Sequence, residues 1–161
     1  MANTENLWAL AELRFSCIAF EEFTPGDLLA VLKLRQDVFV IEQECLYEDI
    51  DGVDEKSLHL LMKDPNETLV GYCRIVPPGI KFELVSIGRV VTPLILRGRS
   101  LGTELMRQAV LTTQKLFPEM DIEIEAQAHL QGFYGRFGFV RTSEEFILDG
   151  IPHVQMELAT E

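Results

Sequence analysis

The sequence has few cysteines, and their spacing suggests neither disulfide partners nor a zinc site. It contains three, Cys17, Cys45 and Cys73, and no two of them form a C-x-x-C pair. An odd number without paired spacing is typical of buried thiols in a reducing compartment. We therefore expect a cytoplasmic protein and predict no metal site.

Long apolar runs and an excess of basic residues are also lacking. No uncharged apolar run approaches the ~20 residues that span a bilayer, and the first residues lack the basic start of an export signal. Lysine and arginine number 14 against 26 acidic residues, so the formal net charge is −12. Such a charge argues against nucleic acid or a membrane surface as the partner, whereas a cationic substrate is easier to accommodate.

The chain does contain enough apolar residues for a core, 47% of 161, and we expect a single domain over residues 1–161. The apolar periodicity predicts a mixed α/β fold whose first half is largely antiparallel. Predicted strands cover residues 13–20, 58–62, 68–76, 82–92, 121–126, 139–140, 146–148 and 154–158. Predicted helices cover residues 28–39, 101–117 and 129–137. Asp64-Pro65-Asn66 and Asp149-Gly150 predict hairpin turns.

The segment Arg97-Gly98-Arg99-Ser100-Leu101-Gly102 lies between a predicted strand and a predicted helix. A helix N-terminus presents unpaired amides and the positive end of a dipole, which suits a phosphate or diphosphate. The two glycines permit close approach of the backbone, and the two arginines add cations to an acidic protein. The other interpretation is an ordinary connection with two solvated arginines.

The same residues also fit a hydrolase motif. Gly98-Arg99-Ser100-Leu101-Gly102 spells G-x-S-x-G, and Ser100, Asp121 and His153 follow the order of a catalytic triad. Pro93 interrupts the preceding strand, however, and 161 residues are few for the large parallel sheet that such a triad needs. A serine hydrolase using Ser100 is therefore the less favoured alternative.

Two motifs and their spacing resemble the GNAT superfamily of N-acetyltransferases. Gly88-Arg89-Val90-Val91-Thr92-Pro93 leads to R-G-x-x-L-G, and Phe133-Tyr134-Gly135-Arg136-Phe137-Gly138-Phe139 follows about thirty residues later. The chain is similar to the ElaA-like branch through Val38-Phe39-Val40-Ile41-Glu42-Gln43, Ala126-Gln127-Ala128-His129-Leu130-Gln131 and Asp149-Gly150-Ile151-Pro152-His153. The resemblance runs over nearly the whole chain. It implies the GNAT fold, mixed α+β, with a mostly antiparallel sheet of roughly six or seven strands flanked by about four helices.

The resemblance also implies acetyl-CoA as cosubstrate and places it on the chain. The strand at residues 88–92 would pair with the pantetheine arm, an amide near Val91 would polarise the thioester, and the diphosphate would lie on the amides of residues 98–103. The implied cofactor-binding residues are Val90, Val91, Arg97, Gly98, Arg99, Ser100, Leu101, Gly102 and Thr103. Ser100 stands where the family usually has glycine, and we expect it to keep binding provided that the position does not need a positive φ.

Tyr134 matches the family tyrosine near the CoA sulfur and would act as general acid. The alternative is a core tyrosine whose hydroxyl is satisfied by a hydrogen bond. The general base stays open among Glu42, Asp51, Glu83, Glu123 and His153, because spacing cannot show which side chain reaches the amine. Lone histidines such as His59, His129 and His153 are more often structural.

Seven acids crowd residues 42–55, which show no periodicity. By resemblance this loop would neighbour the acceptor mouth, where it could attract a protonated amine, and the other interpretation is a solvated charged loop. The predicted substrate-binding residues are Glu42, Gln43, Asp51 and His153. The function predicted from the sequence is acetyl transfer to a primary amine of a small molecule or peptide. The alternative is a non-catalytic acyl-CoA-binding module, and a homodimer stays open.

Overall fold

Within residues 8–161, which the computed structural model describes, eight strands form one sheet. The strands are β1 (Arg14–Ala19), β2 (Leu58–Lys63), β3 (Leu69–Val76), β4 (Val85–Val91), β5 (Ile122–Gln127), β6 (Val140–Arg141), β7 (Phe146–Leu148) and β8 (Ile151–Leu158). Their order is β1-β2-β3-β4-β5-β8-β6, with β7 also pairing with β8. Only β4 and β5 pair in parallel among the described strands. The mostly antiparallel sheet is confirmed, with eight strands because both short runs before β8 pair with it.

Three α-helices accompany the sheet in the described part of the chain, namely α1 (Pro25–Arg35), α2 (Leu101–Leu116) and α3 (Gln131–Gly135). α1 continues into a π-helical segment, Gln36–Glu42, and short 3-10 turns occupy several connections. Thr24 caps α1 by accepting a hydrogen bond from the Asp27 amide at 3.1 Å, and Pro25 suits the first helical position. No helix in residues 8–161 is both long and apolar enough to cross a membrane.

Both predicted hairpin turns are confirmed. Asp64 closes the β2–β3 turn, because its carboxylate accepts from the amides of Asn66 at 2.8 Å and Thr68 at 3.0 Å. Asp149 and Gly150 have φ values of 50° and 77°, as a two-residue turn between antiparallel strands requires. The second turn places the β7–β8 hairpin beside the carboxyl end of β5.

The two long helices, α1 and α2, cover opposite faces of the sheet. Leu105, Met106 and Ala109 of α2 are fully buried against one face, whereas Val31 and Leu34 of α1 pack on the other. β2 shows the alternation that this requires, since Leu60 and Met62 belong to the α2 side and Leu61 belongs to the α1 side. The sheet is therefore covered on both faces near its centre, which leaves the region where β4 and β5 part as the place for a cleft.

β4 departs from regular geometry in the half that follows Ser86. It pairs with β5 only through Val85 and Ser86. On its other side it carries an extra residue against β3, because Tyr72 pairs with Val91 while Arg74 pairs with Gly88. Arg89, inside this bulge, has a φ of 52°. The bulge bends β4, and the two parallel strands diverge from Ile87 onward.

Candidate active site

A cleft of about 540 Å³ opens where β4 and β5 diverge. Its walls are the second half of β4, the second half of β5, α3, the π-helical segment and the β7–β8 hairpin. Both polar and apolar side chains line it. Five separate elements thus meet at one concave site, and such a site is where a ligand is expected to bind.

The wall formed by β4 presents an open strand edge. Pairing to β5 ends at Ser86, and residues 87–92 line the cleft, including Val90 and Val91. An unpaired edge offers backbone amides and carbonyls to any extended ligand that carries its own amide groups. This edge is therefore suited to an arm such as pantetheine, which was predicted to pair with the same strand.

The start of α2 forms the second polar feature. The first intrahelical hydrogen bond runs from the Glu104 amide to the Ser100 carbonyl at 3.1 Å, so the amides of Leu101, Gly102 and Thr103 precede the ladder. Gly102 lines the cleft. Leu101 is buried in the core, with 2% of its surface exposed, so it can offer a ligand only its amide.

Ser100 has the positive φ on whose absence the expectation of retained cofactor binding depended. Its φ is 62°, in the left-handed region, and Gly98 has a φ of 83°. The position therefore does need a positive φ, because the chain must turn sharply between Arg97 and the first residue of α2. A left-handed conformation costs an L-residue about 1–2 kcal/mol relative to glycine. Ser100 still presents its amide at the turn, at an energetic cost that glycine would not have.

The two arginines of the turn already have partners. Arg97 forms a two-pronged ion pair with Glu42, and its second contact, Nη2 to Oε2, is 2.7 Å long. Arg99 lies over the Trp8 ring at 4.2 Å and donates to the Trp8 carbonyl at 3.2 Å. Arg97 lines the cleft, whereas the Arg99 guanidinium is held against the N-terminal segment. Of the two predicted phosphate ligands, Arg97 is therefore better placed than Arg99 to contact an anion in the cleft.

Arg136 is a cation that the sequence motif did not single out. Its Nη2 lies 3.5 Å from the Thr103 hydroxyl in the first turn of α2, and its guanidinium lies over the Phe133 ring. The residues lie 33 positions apart in the chain, so only the fold reveals their contact. Arg136 brings a positive charge to the side of α2 where Thr103 was expected to bind phosphate.

Tyr134 lies on α3 and lines the cleft. Its ring packs edge-on against Phe133 and Phe139, with centroids 5.1 and 6.2 Å away. Within residues 8–161 its hydroxyl makes no hydrogen bond, unlike the hydroxyl of Tyr72, which pairs with His59 at 2.7 Å. Burial raises the pKa of Tyr134 to about 12. The phenol is therefore protonated at neutral pH and open to a partner in the cleft.

His153 and Gln43 also line the cleft. The His153 Nδ1 lies 2.7 Å from the Ile151 carbonyl, which can only accept, so Nδ1 carries a proton and Nε2 keeps a lone pair when the ring is neutral. The Gln43 amide oxygen accepts from Gln127 at 3.2 Å, linking the end of the π-helical segment to β5. Sequence reasoning missed Gln127, which lines the cleft between them.

Two further residues of the acidic stretch also line the cleft, although the sequence did not mark them. The Cys45 thiol donates to the Asp149 carbonyl at 3.2 Å and so ties this segment to the β7–β8 turn. Tyr47 donates to the Asp49 carboxylate at 2.9 Å and stacks beside Arg89. These contacts hold the part of the cleft wall that Cys45 and Tyr47 form.

Three acids proposed as bases or ligands lie elsewhere. Asp51 does not line the cleft, because both its carboxylate oxygens bind Arg74, at 2.8 and 2.9 Å. Glu83 and Glu123 line a separate hollow beside residues 79–84. Burial, together with the charges of Glu157 and other acids, raises the pKa of Glu123. The structure therefore corrects the assignment of Asp51 to substrate binding and leaves Glu42 and His153 as the cleft-lining candidates for the base.

The acidic loop is only partly solvated, because three of its aspartates bind internal arginines. Asp49 and Asp54 bind the buried Arg35 at 2.8 Å each, and Asp54 also binds the buried Arg74 at 3.0 Å. Arg89, in the bulge of β4, lies 2.9 Å from Asp49. We call these residues, with Asp51, the Arg–Asp network. It fastens the loop to α1, β3 and the cleft strand β4.

His59 is structural. Its Nε2 lies 2.9 Å from the Asp54 carbonyl and must donate, so Nδ1 accepts from the Tyr72 hydroxyl. Burial lowers the pKa of His59. The neutral ring is therefore fully satisfied beside the Arg–Asp network.

The hydrolase triad is wrong. Asp121 precedes β5 and accepts from the Thr160 amide at 2.8 Å. His153 pairs with Gln127, at the other end of that six-residue strand. At the rise of a β-strand the two positions lie roughly 17–20 Å apart. Asp121 therefore cannot orient His153.

Comparison with known proteins agrees with this geometry. Residues 29–160, which include every cleft-lining residue named above, match the family model described as an acetyltransferase (GNAT) domain. Protein ElaA of Escherichia coli K12 is 42% identical over 137 residues, covering 84% of this chain and 89% of that protein.

Two solved structures are similar over nearly their whole length. An acyl-CoA N-acyltransferase from Pseudomonas aeruginosa has a TM-score of 0.86 at 38% identity, over 91% of this chain and 99% of that one. The crystal structure of Escherichia coli ElaA has a TM-score of 0.84 at 38% identity, with the same coverage. Sequence and fold therefore point to the same relatives.

Proposed function

The chain belongs to the GNAT acetyltransferase family, whose members transfer an acyl group from acyl-CoA to an amine, and from this premise we propose that it moves the acetyl group of acetyl-CoA to a primary amine of a small molecule or peptide. One observation carries the proposal. The cleft joins an open strand edge at Val90–Val91, a helix start at Gly102 and the phenol of Tyr134, which makes no hydrogen bond within residues 8–161. These three features correspond to the three parts of an acyl-CoA: the pantetheine arm, the diphosphate and the thioester sulfur.

The residues present fit such a cosubstrate. The edge of β4 would pair with the pantetheine amides, and the amide near Val91 would polarise the thioester oxygen. The amides of residues 98–103 would hold the diphosphate, helped by the positive end of α2. Arg97 and Arg136 would supply positive charge from two sides of this turn.

Tyr134 acts as general acid in this proposal. The amine nitrogen bonds to the acetyl carbon, the carbon–sulfur bond breaks, and the phenol donates its proton to the leaving thiolate. A pKa of about 12 makes the phenol a weak acid in the free protein. The same apolar wall raises the pKa of a thiolate held against it, which keeps the transfer favourable.

His153 is the proposed base. Its Nδ1 proton is committed to the Ile151 carbonyl, so Nε2 can accept the proton that the attacking amine loses, directly or through one water. Glu42 and Gln43, which line the same cleft, would contact the acceptor. A cationic acceptor agrees with the net charge of −12. The three unpaired cysteines support a place in the cytoplasm.

The experiment that tests the proposal is an acceptor screen that follows free thiol. Acetyl-CoA is incubated with the protein and with polyamines, aminoglycosides, amino acids or peptides that have free N-termini. We expect at least one class to release thiol in proportion to acetylated amine. Acetyl-CoA binding without amine-dependent thiol release would instead favour a non-catalytic acyl-CoA-binding module.

A further inference from the structure

The ion pair between Arg97 and Glu42 joins the two halves of the cleft. Arg97 begins the turn that leads into α2, whereas Glu42 ends the π-helical segment, 55 residues earlier in the chain. Both side chains line the cleft, and both remain partly in solvent, at 42% and 25% exposure. The contact is two-pronged, so it uses both terminal nitrogens of Arg97 and both oxygens of Glu42.

A diphosphate on the α2 turn would compete with Glu42 for the same guanidinium. Arginine binds carboxylate and phosphate in the same forked geometry, so it cannot present both Nη atoms to both anions. A partly exposed ion pair stabilises the protein by only about 0–1 kcal/mol. The diphosphate carries more charge than a carboxylate and also accepts hydrogen bonds from the helix amides. The exchange of partners therefore favours the diphosphate.

We propose that acetyl-CoA takes Arg97 from Glu42 and thereby frees the Glu42 carboxylate for the ammonium group of the acceptor. The inference rests on the proposed cofactor site. Glu42 is then a positioning residue that is masked in the free protein and unmasked in the complex with the cosubstrate. Because coupling is reciprocal, the acceptor and the cosubstrate favour each other's binding.

A double-mutant cycle on acetyl-CoA binding tests the exchange. Glu42→Gln removes the competitor, so calorimetry should show acetyl-CoA binding about three- to fivefold tighter than to the wild type. In the Arg97→Gln background the same change should have no effect. Glu48→Gln, an equal loss of charge at an exposed position of the same loop, is the control and should leave the affinity unchanged. Unchanged or weaker binding by Glu42→Gln overturns the inference, as does equal tightening in the Arg97→Gln background.

Carboxylate labelling measures directly whether the Glu42 carboxylate becomes accessible when the cosubstrate binds. The protein, alone or saturated with CoA, is treated with a carbodiimide and glycine ethyl ester, and the modified residues are quantified by mass spectrometry. We expect CoA to increase labelling of Glu42 several-fold while labelling of Glu48 stays constant. Equal or reduced labelling of Glu42 contradicts the exchange. Failure of the wild type to bind acetyl-CoA in the calorimeter would instead reject the proposed function itself.

Discussion

Tyr134 has a hydroxyl without a protein partner in the described structure and a pKa raised by burial to about 12. An unsatisfied phenol facing a cleft adds no hydrogen bond to the folded protein and keeps its donor available to a ligand. Tyr134 differs in this respect from Tyr47 and Tyr72, whose hydroxyls form hydrogen bonds with Asp49 and His59. The catalytic assignment therefore depends on one residue whose chemistry can be removed without altering its packing.

Tyr134→Phe should lower kcat by about 100-fold or more, because it removes the proton donor while keeping the ring. Thiol release from acetyl-CoA measures kcat, and calorimetry should show an unchanged dissociation constant for acetyl-CoA. The matched control is Tyr47→Phe. It removes a hydroxyl that also borders the cleft but is committed to Asp49, and we expect kcat within about fivefold of the wild type. Equal kcat for Tyr134→Phe and the wild type would remove Tyr134 from the mechanism.

Ser100→Gly should stabilise the protein. Glycine relieves the left-handed strain at φ 62°, and the larger entropy of its unfolded chain offsets part of the gain, so we expect the free energy of unfolding to rise by about 0.5–1 kcal/mol. Ser100→Ala keeps the strain and removes only the hydroxyl, so it should not share the gain. Urea denaturation compares the three proteins, and a less stable glycine variant would contradict the strain.

The family resemblance identified Ser100 as a departure from the usual glycine. Its positive φ was not predictable, because it depends on how the turn meets α2. The same holds for Arg97 and Arg99, which the motif marked as phosphate ligands. Their partners, Glu42 and Trp8, lie far away in the chain. The motif and its place before a helix were therefore predictable from the sequence, whereas the long-range partners of its side chains could be seen only in the folded structure.

At the scale of elements, the Arg–Asp network connects the acidic loop to three elements, and one of them is the bulged strand that borders the cleft. Arg35 and Arg74 are each 1% exposed, and Asp54 binds both. A buried charge that loses its partner is strongly destabilising. The network therefore anchors the acidic loop beside the cleft strand β4.

Asp54→Asn should lower the free energy of unfolding by about 3 kcal/mol, because it leaves two buried guanidinium groups short of one negative charge. The measurement is the midpoint and slope of urea unfolding. Glu55→Gln, the exposed neighbour, is the control and should have an effect within about 0.5 kcal/mol. A loss equal to that of the control would mean that the network does not stabilise the loop.

Hairpins and the two long helices were predictable because their signals are local. Asp64 and Asp149-Gly150 close their turns by chemistry within a few residues, and α2 shows its apolar face in its own sequence. The π-helical segment and the bulge at Arg89 were not predicted. Both depend on contacts with residues far away in the chain. Arg35, just before the π-helical segment, binds Asp49 across 14 residues, and Arg89, in the bulge, binds Asp49 across 40 residues.

For the whole molecule, the same groups link stability to pH. Hydrogen bonds and charge from Arg74 and Arg35 hold the pKa values of Asp51 and Asp54 below their usual range despite burial, whereas burial lowers the pKa of His59. In each case the unfolded chain binds a proton more readily than the folded one. Stability should therefore fall as pH falls, below about 6.5 because of His59 and further below about 4 because of the aspartates.

Thermal unfolding followed from pH 7.5 to pH 3.5 in constant moderate salt tests this. We expect Tm to fall in two stages, and His59→Gln should remove the upper stage. Salt is needed because the net charge of −12 shrinks on acidification, and the relief of repulsion would act in the opposite direction. A Tm that stays constant or rises between pH 7 and pH 5 would contradict the buried neutral His59.

The net charge was misleading about the acidic loop. The excess of acids in the composition gave no indication that three acids of residues 42–55 bind internal arginines. A formal sum counts charges wherever they lie, and only the fold separates paired from exposed ones. Glu42, unlike these three aspartates, lines the cleft.

The central claim is that the cleft between β4 and β5 binds acetyl-CoA, with its diphosphate on the start of α2. Isothermal titration calorimetry with acetyl-CoA tests it most directly. We predict one site per chain with a dissociation constant between about 1 μM and 1 mM, in the range typical of enzyme cosubstrates. The absence of binding heat at millimolar acetyl-CoA, from protein shown to be folded, would contradict the account.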